Sequence, residues 1–290
     1  MSNNICSETK KPNAWLGEFA RKTTSQHGEE GIIEKVLEVI GENDKWCVEF
    51  GSWDGKTCSN TYSLITDKGY SAVLIEGSKE RFGDLVANFK GSKSVICVNE
   101  YVGFESTDNL DVILSKTDIP KNFDLLSIDI DGNDYHVWEA VKQYGPKVVI
   151  IEFNPTIPSN VEFVQPRDAN ITQGSSILSI TKMAKTKGYE LVSATKNNAI
   201  YVDAKYFELF GIEDNSIEQI RTDESVITHL FCGYDGTIFI RGFGKLPWHG
   251  IRIKESKMQV LPGWAIKRAG DRNTFRKQLG RFYRRLLKEK

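Results

Sequence analysis

The chain has 290 residues, of which 40% are hydrophobic, 27% charged and 11% aromatic, with 24 Gly and 8 Pro; this composition excludes collagen-like, repeat and disordered classes and suffices for a large core. At roughly 150 residues per domain it allows about two domains, or one embellished α/β domain. Its 38 Lys+Arg against 39 Asp+Glu leave a net charge of −1, so no global field draws in nucleic acid.

No stretch approaches the roughly 18 apolar residues of a membrane span, and the polar opening residues lack the apolar segment of a secretory signal. Cys6, Cys47, Cys58, Cys97 and Cys232 are odd in number and form no C-x-x-C pair. They read as reduced, mostly buried thiols of a cytoplasmic protein.

A helical lead-in is expected over 28–40, where Ile32, Ile33, Val36, Leu37 and Ile40 recur at helical spacing. From 46 to 202, short apolar, β-branched runs alternate with amphipathic stretches, the pattern of parallel strands joined by crossover helices. The spacing predicts strands at 46–50, 72–75, 94–98, 123–128, 148–153, 190–193 and 199–202, with helices at 60–68, 79–88, 110–115, 135–144 and 176–187. Only 194–198 separates the last two strands, too little for a helical crossover, so they pair antiparallel. The long connection 154–174 lies where such sheets place substrate contacts, and 203–263 reads as irregular.

The first strand runs into Val48-Glu49-Phe50-Gly51-Ser52-Trp53-Asp54-Gly55, an acid-x-Gly-x-x-x-Gly turn leading toward a helix. Glycine there lets the backbone approach a ligand, and the helix start offers free N–H groups. Glu76 ends the second strand, where a carboxylate can accept both hydroxyls of a ribose. Trp53 replaces the second glycine of a dinucleotide fingerprint and crowds a pyrophosphate, so adenosine without pyrophosphate is the expected ligand.

These features, together with Asp129 closing the fourth strand and the terminal hairpin, resemble class I S-adenosylmethionine-dependent methyltransferases. Within that superfamily, Phe123-Asp-Leu-Leu-Ser-Ile-Asp-Ile-Asp-Gly132, Ile151-Glu-Phe-Asn154 and Lys187-Gly-Tyr189 are similar to the FkbM-type O-methyltransferases, many of which modify sugars. The resemblance covers about 46–202, while 25–31 and 246–249 look like features of a bacterial branch. It implies an α/β fold: a Rossmann-like, seven-stranded, mostly parallel sheet with an antiparallel terminal hairpin, helices on both faces and a C-terminal extension. The domain plan is a lead-in (1–45), a methyltransferase core (46–203), an irregular extension (204–266) and a basic amphipathic helix (267–290).

Carried over by position, the resemblance implies that Glu49, Gly51 and Gly55, with Trp53 beside them, surround the methionine moiety of S-adenosylmethionine. It places Glu76 at the ribose, Asn99 or Glu100 near adenine, Asn60 toward the cofactor carboxylate and Asp129 in the same site. Asp129-Ile-Asp131-Gly132-Asn133-Asp134 departs from the single acid followed by Glu-Gly that is commoner in the FkbM family.

Asp129 and Asp131 sit at one strand end, and Glu152 and Asn154 at the end of its neighbour. Residues two apart on a strand share a face, and hard oxygen donors suit Mg²⁺ or another divalent cation. Catechol-type methyltransferases, which the chain resembles here, hold Mg²⁺ with acids and an Asn. Helix capping is the alternative role of these acids. His136 opens the next helix and is, with Asp131, a candidate base, while Asp129 would position the acceptor.

His27 and His249 are weaker candidates to cover the site; Glu29 and Glu30 read as first-turn helix acids. Trp53, Tyr62, Tyr135 and Trp138 suit a sugar ring or sulfonium, and Arg167 and Asp168 an anionic or hydroxylated acceptor. Residues 267–290 hold ten Lys/Arg and two acids, so a +8 segment joins a −9 body. Phe275, Leu279, Phe282, Tyr283, Leu286 and Leu287 share one face of that segment. It would dock on the domain or on a second subunit in a homo-oligomer, or meet the inner membrane surface peripherally. No nucleic-acid partner is expected, since no binding module accompanies it.

The expected function is transfer of a methyl group from S-adenosylmethionine to an oxygen of a small-molecule or glycan acceptor, a sugar hydroxyl in a surface glycan or glycoconjugate. The alternatives are a metal-dependent glycosyltransferase using Asp129-x-Asp131 and a non-catalytic binding protein that keeps the cofactor fold.

Overall fold

β1 (Trp46–Phe50), β2 (Ser71–Ile75), β4 (Leu125–Ile128) and β5 (Val148–Glu152) are apolar nearly throughout, and all but their first positions at most are buried. Such strands need cover on both faces, which the crossover helices supply. The computed structural model describes residues 12–41, 44–234, 236–246, 250–262 and 273–287.

With β3 (Val95–Val98), β6 (Tyr189–Ala194) and β7 (Asn198–Asp203), these strands form one seven-stranded sheet in the order β3-β2-β1-β4-β5-β7-β6. β1 lies parallel to β2 and β4, with Val48 opposite Val73 and Leu126. β7 enters antiparallel between β5 and β6, with Ile200 opposite both Ile150 and Ser193. The expected Rossmann-like sheet is therefore present, with its reversed strand one place in from the edge.

The helices are α1 (Glu29–Ile40), α2 (Tyr62–Lys68), α3 (Lys79–Asn88), α4 (Leu110–Leu114), α5 (Asp134–Ala140) and α6 (Ile177–Thr186). α1 buries Ile32, Ile33, Val36, Leu37 and Ile40 and stops at Gly41, whose left-handed backbone (φ 74°) returns its N–H to the Leu37 carbonyl. Two boundaries differ from the sequence expectation for local reasons. α5 stops four residues early because Lys142 and Gln143 donate their backbone N–H groups to Oδ2 of buried Asp111, at 2.8 and 3.0 Å. α2 starts late because the 59–61 segment is engaged by Glu49.

The chain divides into two compact units, one of Met1–Pro155 with Ser159–Glu224 and the other of Thr156–Pro158 with Ser225–Lys290. The first contains the sheet, a 3-10 helix at Ala204–Phe210 and α7 (Ile217–Ile220). The second corrects the expectation of irregular chain: β8 (Thr228–Cys232) and β9 (Ile238–Gly242) form an antiparallel hairpin. Phe231 stacks on Phe239 at 5.2 Å, and Gln259 bonds both the N–H and the carbonyl of Ile238. A 3-10 turn (Glu255–Lys257) and α8 (Thr274–Leu286) follow.

Among the described residues, Cys47, Cys58, Cys97 and Cys232 are free thiols. Cys58 and Cys232 are exposed, against the expectation of mostly buried thiols, while Cys6 lies outside the described residues. No helix among the described residues is long and apolar enough to cross a membrane.

Candidate functional site

Chain order moves outward from β1 to β3 on one side and resumes with β4 on the other, so the sheet reverses direction between β1 and β4. A crevice at the carboxyl ends of the strands is expected at such a point. A cavity of about 670 Å³ lies there, lined by the ends of β1, β2 and β4 and by parts of the loops that follow.

Gly51 ends β1 at φ 72°, and a Cβ there would overlap the Asp129 carbonyl oxygen. The glycine thus permits the approach of β1 to the chain after β4, rather than only to a ligand. Gly55, also left-handed (φ 73°), does not line the cavity; its α-carbon faces Phe89 and Leu85 of the α3 region.

Glu49 lines the cavity while both its oxygens serve its own chain. Oε1 accepts from the Asn60 N–H at 2.7 Å; Oε2 accepts from the Ser59 and Thr61 hydroxyls at 2.6 and 2.7 Å. Burial raises the Glu49 carboxyl despite these bonds. Asn60 reaches on to the Ser127 hydroxyl, so one carboxylate fixes the whole turn into α2.

Glu76 closes β2 and ties together the turn after β1 and the turn after β2. Oε2 accepts from the Trp53 N–H at 2.9 Å and Oε1 from the Ser78 N–H at 2.7 Å. Trp53 sits at φ 51° with the Arg81 guanidinium over its ring at 4.5 Å. Asn99 supports this corner from behind, donating to the Glu76 and Gly77 carbonyls, and does not line the cavity. Glu100 does line it, and pairs with Lys116 at 2.8 Å. Tyr101, exposed and packed where a side chain at Gly77 would stand, forms part of the same wall.

On the β4 side the acids separate into two roles. Asp134, fully buried, accepts from the Ile130 and Gly132 N–H groups at 2.9 Å each and so ties the loop before α5. Burial pushes it up to about 6, against the lowering effect of those bonds. Asp129, Asp131 and Glu152 each offer one oxygen, and the three lie within 4.8 Å of one another. Burial first, then Asp134 and Asp131, holds the Asp129 carboxyl well above the usual range. Glu152 is raised in the same way by burial, Asp129 and Asp134. Asp131 is the exposed member and adopts φ 57°, a conformation Asp tolerates.

Asn154, expected among the metal ligands, donates to the Gln173 carbonyl at 2.8 Å and pins the long 154–174 connection. Gln165 organises that connection, its Oε1 accepting from the Gln173 and Gly174 N–H groups and its Nε2 donating to Ile171. The loop brings Ala169 and Thr172 to the cavity.

His136 is placed elsewhere: its Nε2 meets the Gln165 carbonyl at 2.8 Å and it does not line the cavity. Arg167 lies over Phe104 and donates to the Phe104 carbonyl, while Asp168 accepts from Asn170. Of the four aromatics expected to meet a sugar ring or the sulfonium, only Trp53 lines the cavity. Tyr62 packs on Phe89, Tyr135 lies beside His136, and Trp138 is core between Tyr189 and Tyr201.

In the lead-in, Glu30 accepts from the backbone of Thr23 and Thr24 and from the Ser25 hydroxyl, and Glu29 from the His27 N–H. These acids shape the preceding loop and leave Gln26, not His27, on the cavity wall. Asn197 joins Gln26 to Glu152, at 3.2 Å from each. Pro247, Trp248 and His249 lie outside the described residues. Gln26, Arg81, Tyr101 and Thr172 are lining residues that sequence reasoning missed. Gln26, Tyr101 and Thr172 come from loops, which carry no periodic signal, and Arg81 stands in the first turn of α3, where an exposed Arg is unremarkable in sequence.

No protein-family model and no curated protein matches this chain. Among solved structures it is similar to the N-terminal domain of EvdMO1, crystallised in the presence of SAH and D-fucose, at 12% identity over 60% of this chain and 82% of that one, with a TM-score of 0.42. It is also similar to a putative caffeoyl-CoA O-methyltransferase from Staphylococcus aureus (16% identity, 59% of this chain and 81% of that one, TM-score 0.40). A third is a SAM dependent methyltransferase from Aquifex aeolicus (14% identity, 59% and 88%, TM-score 0.37). These likenesses are too distant to assign chemistry, which rests on the residues of the cavity itself.

Proposed function

We propose that the chain is an S-adenosylmethionine-dependent O-methyltransferase acting on a sugar hydroxyl of a glycan or glycoconjugate, with a divalent cation at Asp129, Asp131 and Glu152. One observation carries this reading: a single cavity at the sheet's reversal has Glu76 on one wall and the Asp129–Asp131 end of the acid trio on another.

Each wall fits its group. Each Glu76 oxygen uses one lone pair on a backbone N–H, and the second pair of each remains for a ribose hydroxyl at the cavity surface. The oxygens of the acid trio span 4.8 Å at most. Ligands on opposite sides of a divalent cation lie about 4–5 Å apart, given metal–oxygen distances of roughly 2.0–2.6 Å. Two of the three carboxyls are held above their usual range in part by their acidic neighbours, a repulsion that a cation would relieve.

S-adenosylmethionine supplies a methyl group on an already activated sulfonium, and the cation a Lewis acid that lowers the pKa of an acceptor hydroxyl. The chain's own work is alignment and proton removal. Glu76 and Trp53 fix the adenosine end, and the Glu49-bound turn fixes the wall at Asn60. Asp129 orients the acceptor oxygen toward the methyl carbon, and ordered approach of this kind is the larger part of catalysis for such a transfer. Asp131, at the exposed edge, takes the proton and passes it to solvent; His136, bonded to the Gln165 carbonyl, has no part in the step.

Calorimetry with S-adenosylhomocysteine tests the cofactor half: heat of binding that Glu76→Ala removes is expected. No heat, with manganese-dependent binding of uridine diphosphate instead, would replace the proposal with the glycosyltransferase reading. Transfer of labelled methyl from S-adenosylmethionine to a glycan extract, lost in folded Asp129→Ala, tests the acceptor half and excludes a protein that only binds.

A further inference from the structure

We infer that α8 is a docking element for the surface of an anionic lipid bilayer. Phe275, Leu279, Phe282 and Leu286 recur at intervals of four, three and four, so at about 100° per residue they fall within an arc of roughly 60°. All four are exposed, Phe275 at 73% and Phe282 at 62%. A stripe of this kind on a water-facing helix is out of place unless something apolar receives it.

The charge pattern selects the receiver. Residues 273–287 hold five Arg/Lys and no Asp or Glu. Lys277, Arg281 and Arg285 are exposed and turn away from the apolar stripe, the arrangement of a helix that lies in an interface with its cations among phosphate headgroups. A pair of α8 helices from two copies would bury the two stripes but leave the five cations of each with no acid on either helix to compensate them. Docking on the acidic first unit would satisfy the charges but needs an apolar groove. The large apolar side chains exposed there are Phe19, Val86, Val161, Val164 and Leu209, apart from Trp53 and Tyr101 at the cavity, and of these only Val161 and Val164 are near each other in sequence. A bilayer supplies apolar depth and anionic charge without a preformed groove. A helix of this length is marginal in water, and interfacial burial would stabilise it.

This inference does not depend on the methyl-transfer reading. Its test is flotation of the full chain with vesicles of phosphatidylcholine alone and with about one third phosphatidylglycerol, at low and high salt. Binding to the anionic vesicles, at least about tenfold stronger than to neutral ones and weakened by salt, is expected. Phe275→Ser with Phe282→Ser should abolish it, and Arg281→Glu with Arg285→Glu should do the same. Both pairs are exposed, so an unchanged melting temperature will show that the fold is intact. Equal binding to both vesicles, no binding, or undiminished binding by the Phe variant would overturn the inference. So would a dimer or a closed monomer, seen by sedimentation or cross-linking, that the Phe substitutions open.

Discussion

The α-carbon of Gly51 stands so close to the backbone carbonyl of Asp129 that a Cβ at position 51 would overlap its oxygen. The relationship locks the end of β1 to the end of β4 at the point where the sheet reverses. Gly51→Ala should cost about 1–3 kcal/mol, since the backbone at φ 72° is strained for any side chain even before the overlap. Thermal or denaturant unfolding will measure it. The folded fraction should also bind S-adenosylhomocysteine more weakly, because Asp129 must shift; full stability with full affinity would remove the proposed lock.

Glu76→Gln separates ligand recognition from loop support. Glutamine retains one acceptor oxygen for Trp53 or Ser78 but loses the charge and one acceptor. Hydrogen bonds to charged groups contribute about 1.5–3 kcal/mol, so S-adenosylhomocysteine affinity should fall about 10–100-fold. An unaltered dissociation constant would take Glu76 out of the ribose site.

Asp129, Asp134 and Glu152 make stability depend on pH, and the trio of Asp129, Asp131 and Glu152 makes cation binding do so. A carboxyl whose pKa is higher in the folded than in the unfolded chain stabilises fully below the unfolded value, about 4, and loses that contribution as pH rises through the folded value. Asp134, at about 6, and Asp129 and Glu152, well above the ordinary range, all have this sign. In chelator, their contribution should therefore decline from about pH 4 upward through neutrality. Millimolar Mg²⁺ or Ca²⁺ should restore it, with an increment in melting temperature larger at about pH 7.5 than at about pH 5, because ligands must be deprotonated to bind. Asp131→Asn should shrink that increment. A cation effect absent at every pH would retire the metal site.

His136→Gln tests the strut against the base. Loss of the bond to Gln165 and of packing on Phe104 should cost about 1–2 kcal/mol. The pH–rate profile should keep its shape. Loss of a limb titrating near neutrality would return His136 to the chemistry.

The strands were legible because burial on both faces writes itself as continuous apolar runs, and their limits fell within about two residues. The acid cluster was legible for a related reason: carboxylates at the ends of apolar strands stand out. What was not legible is which acid does what. Asp134 looks equivalent to Asp129 along the chain, yet it spends both oxygens on nearby backbone N–H groups; Glu49 looks equivalent to Glu76, yet its Oε2 takes two hydroxyls where each Glu76 oxygen takes one backbone N–H. Trp138 and Tyr62 likewise point to a mouth on paper and pack into other rings in space.

By itself, then, the sequence determined the parallel sheet, the hairpin that ends it, the lead-in helix and the presence of carboxylates at the right strand ends, all properties of short-range periodicity and chain length. Only the tertiary structure decided that Asp129, Asp131 and Glu152 converge, that Gly51 serves the chain's own crossing, that His136 supports Gln165, and that Gln26 and Tyr101 reach the cavity. Those outcomes depend on hydrogen bonds and contacts between residues far apart in sequence, satisfied one donor and one acceptor at a time, and no local pattern encodes them.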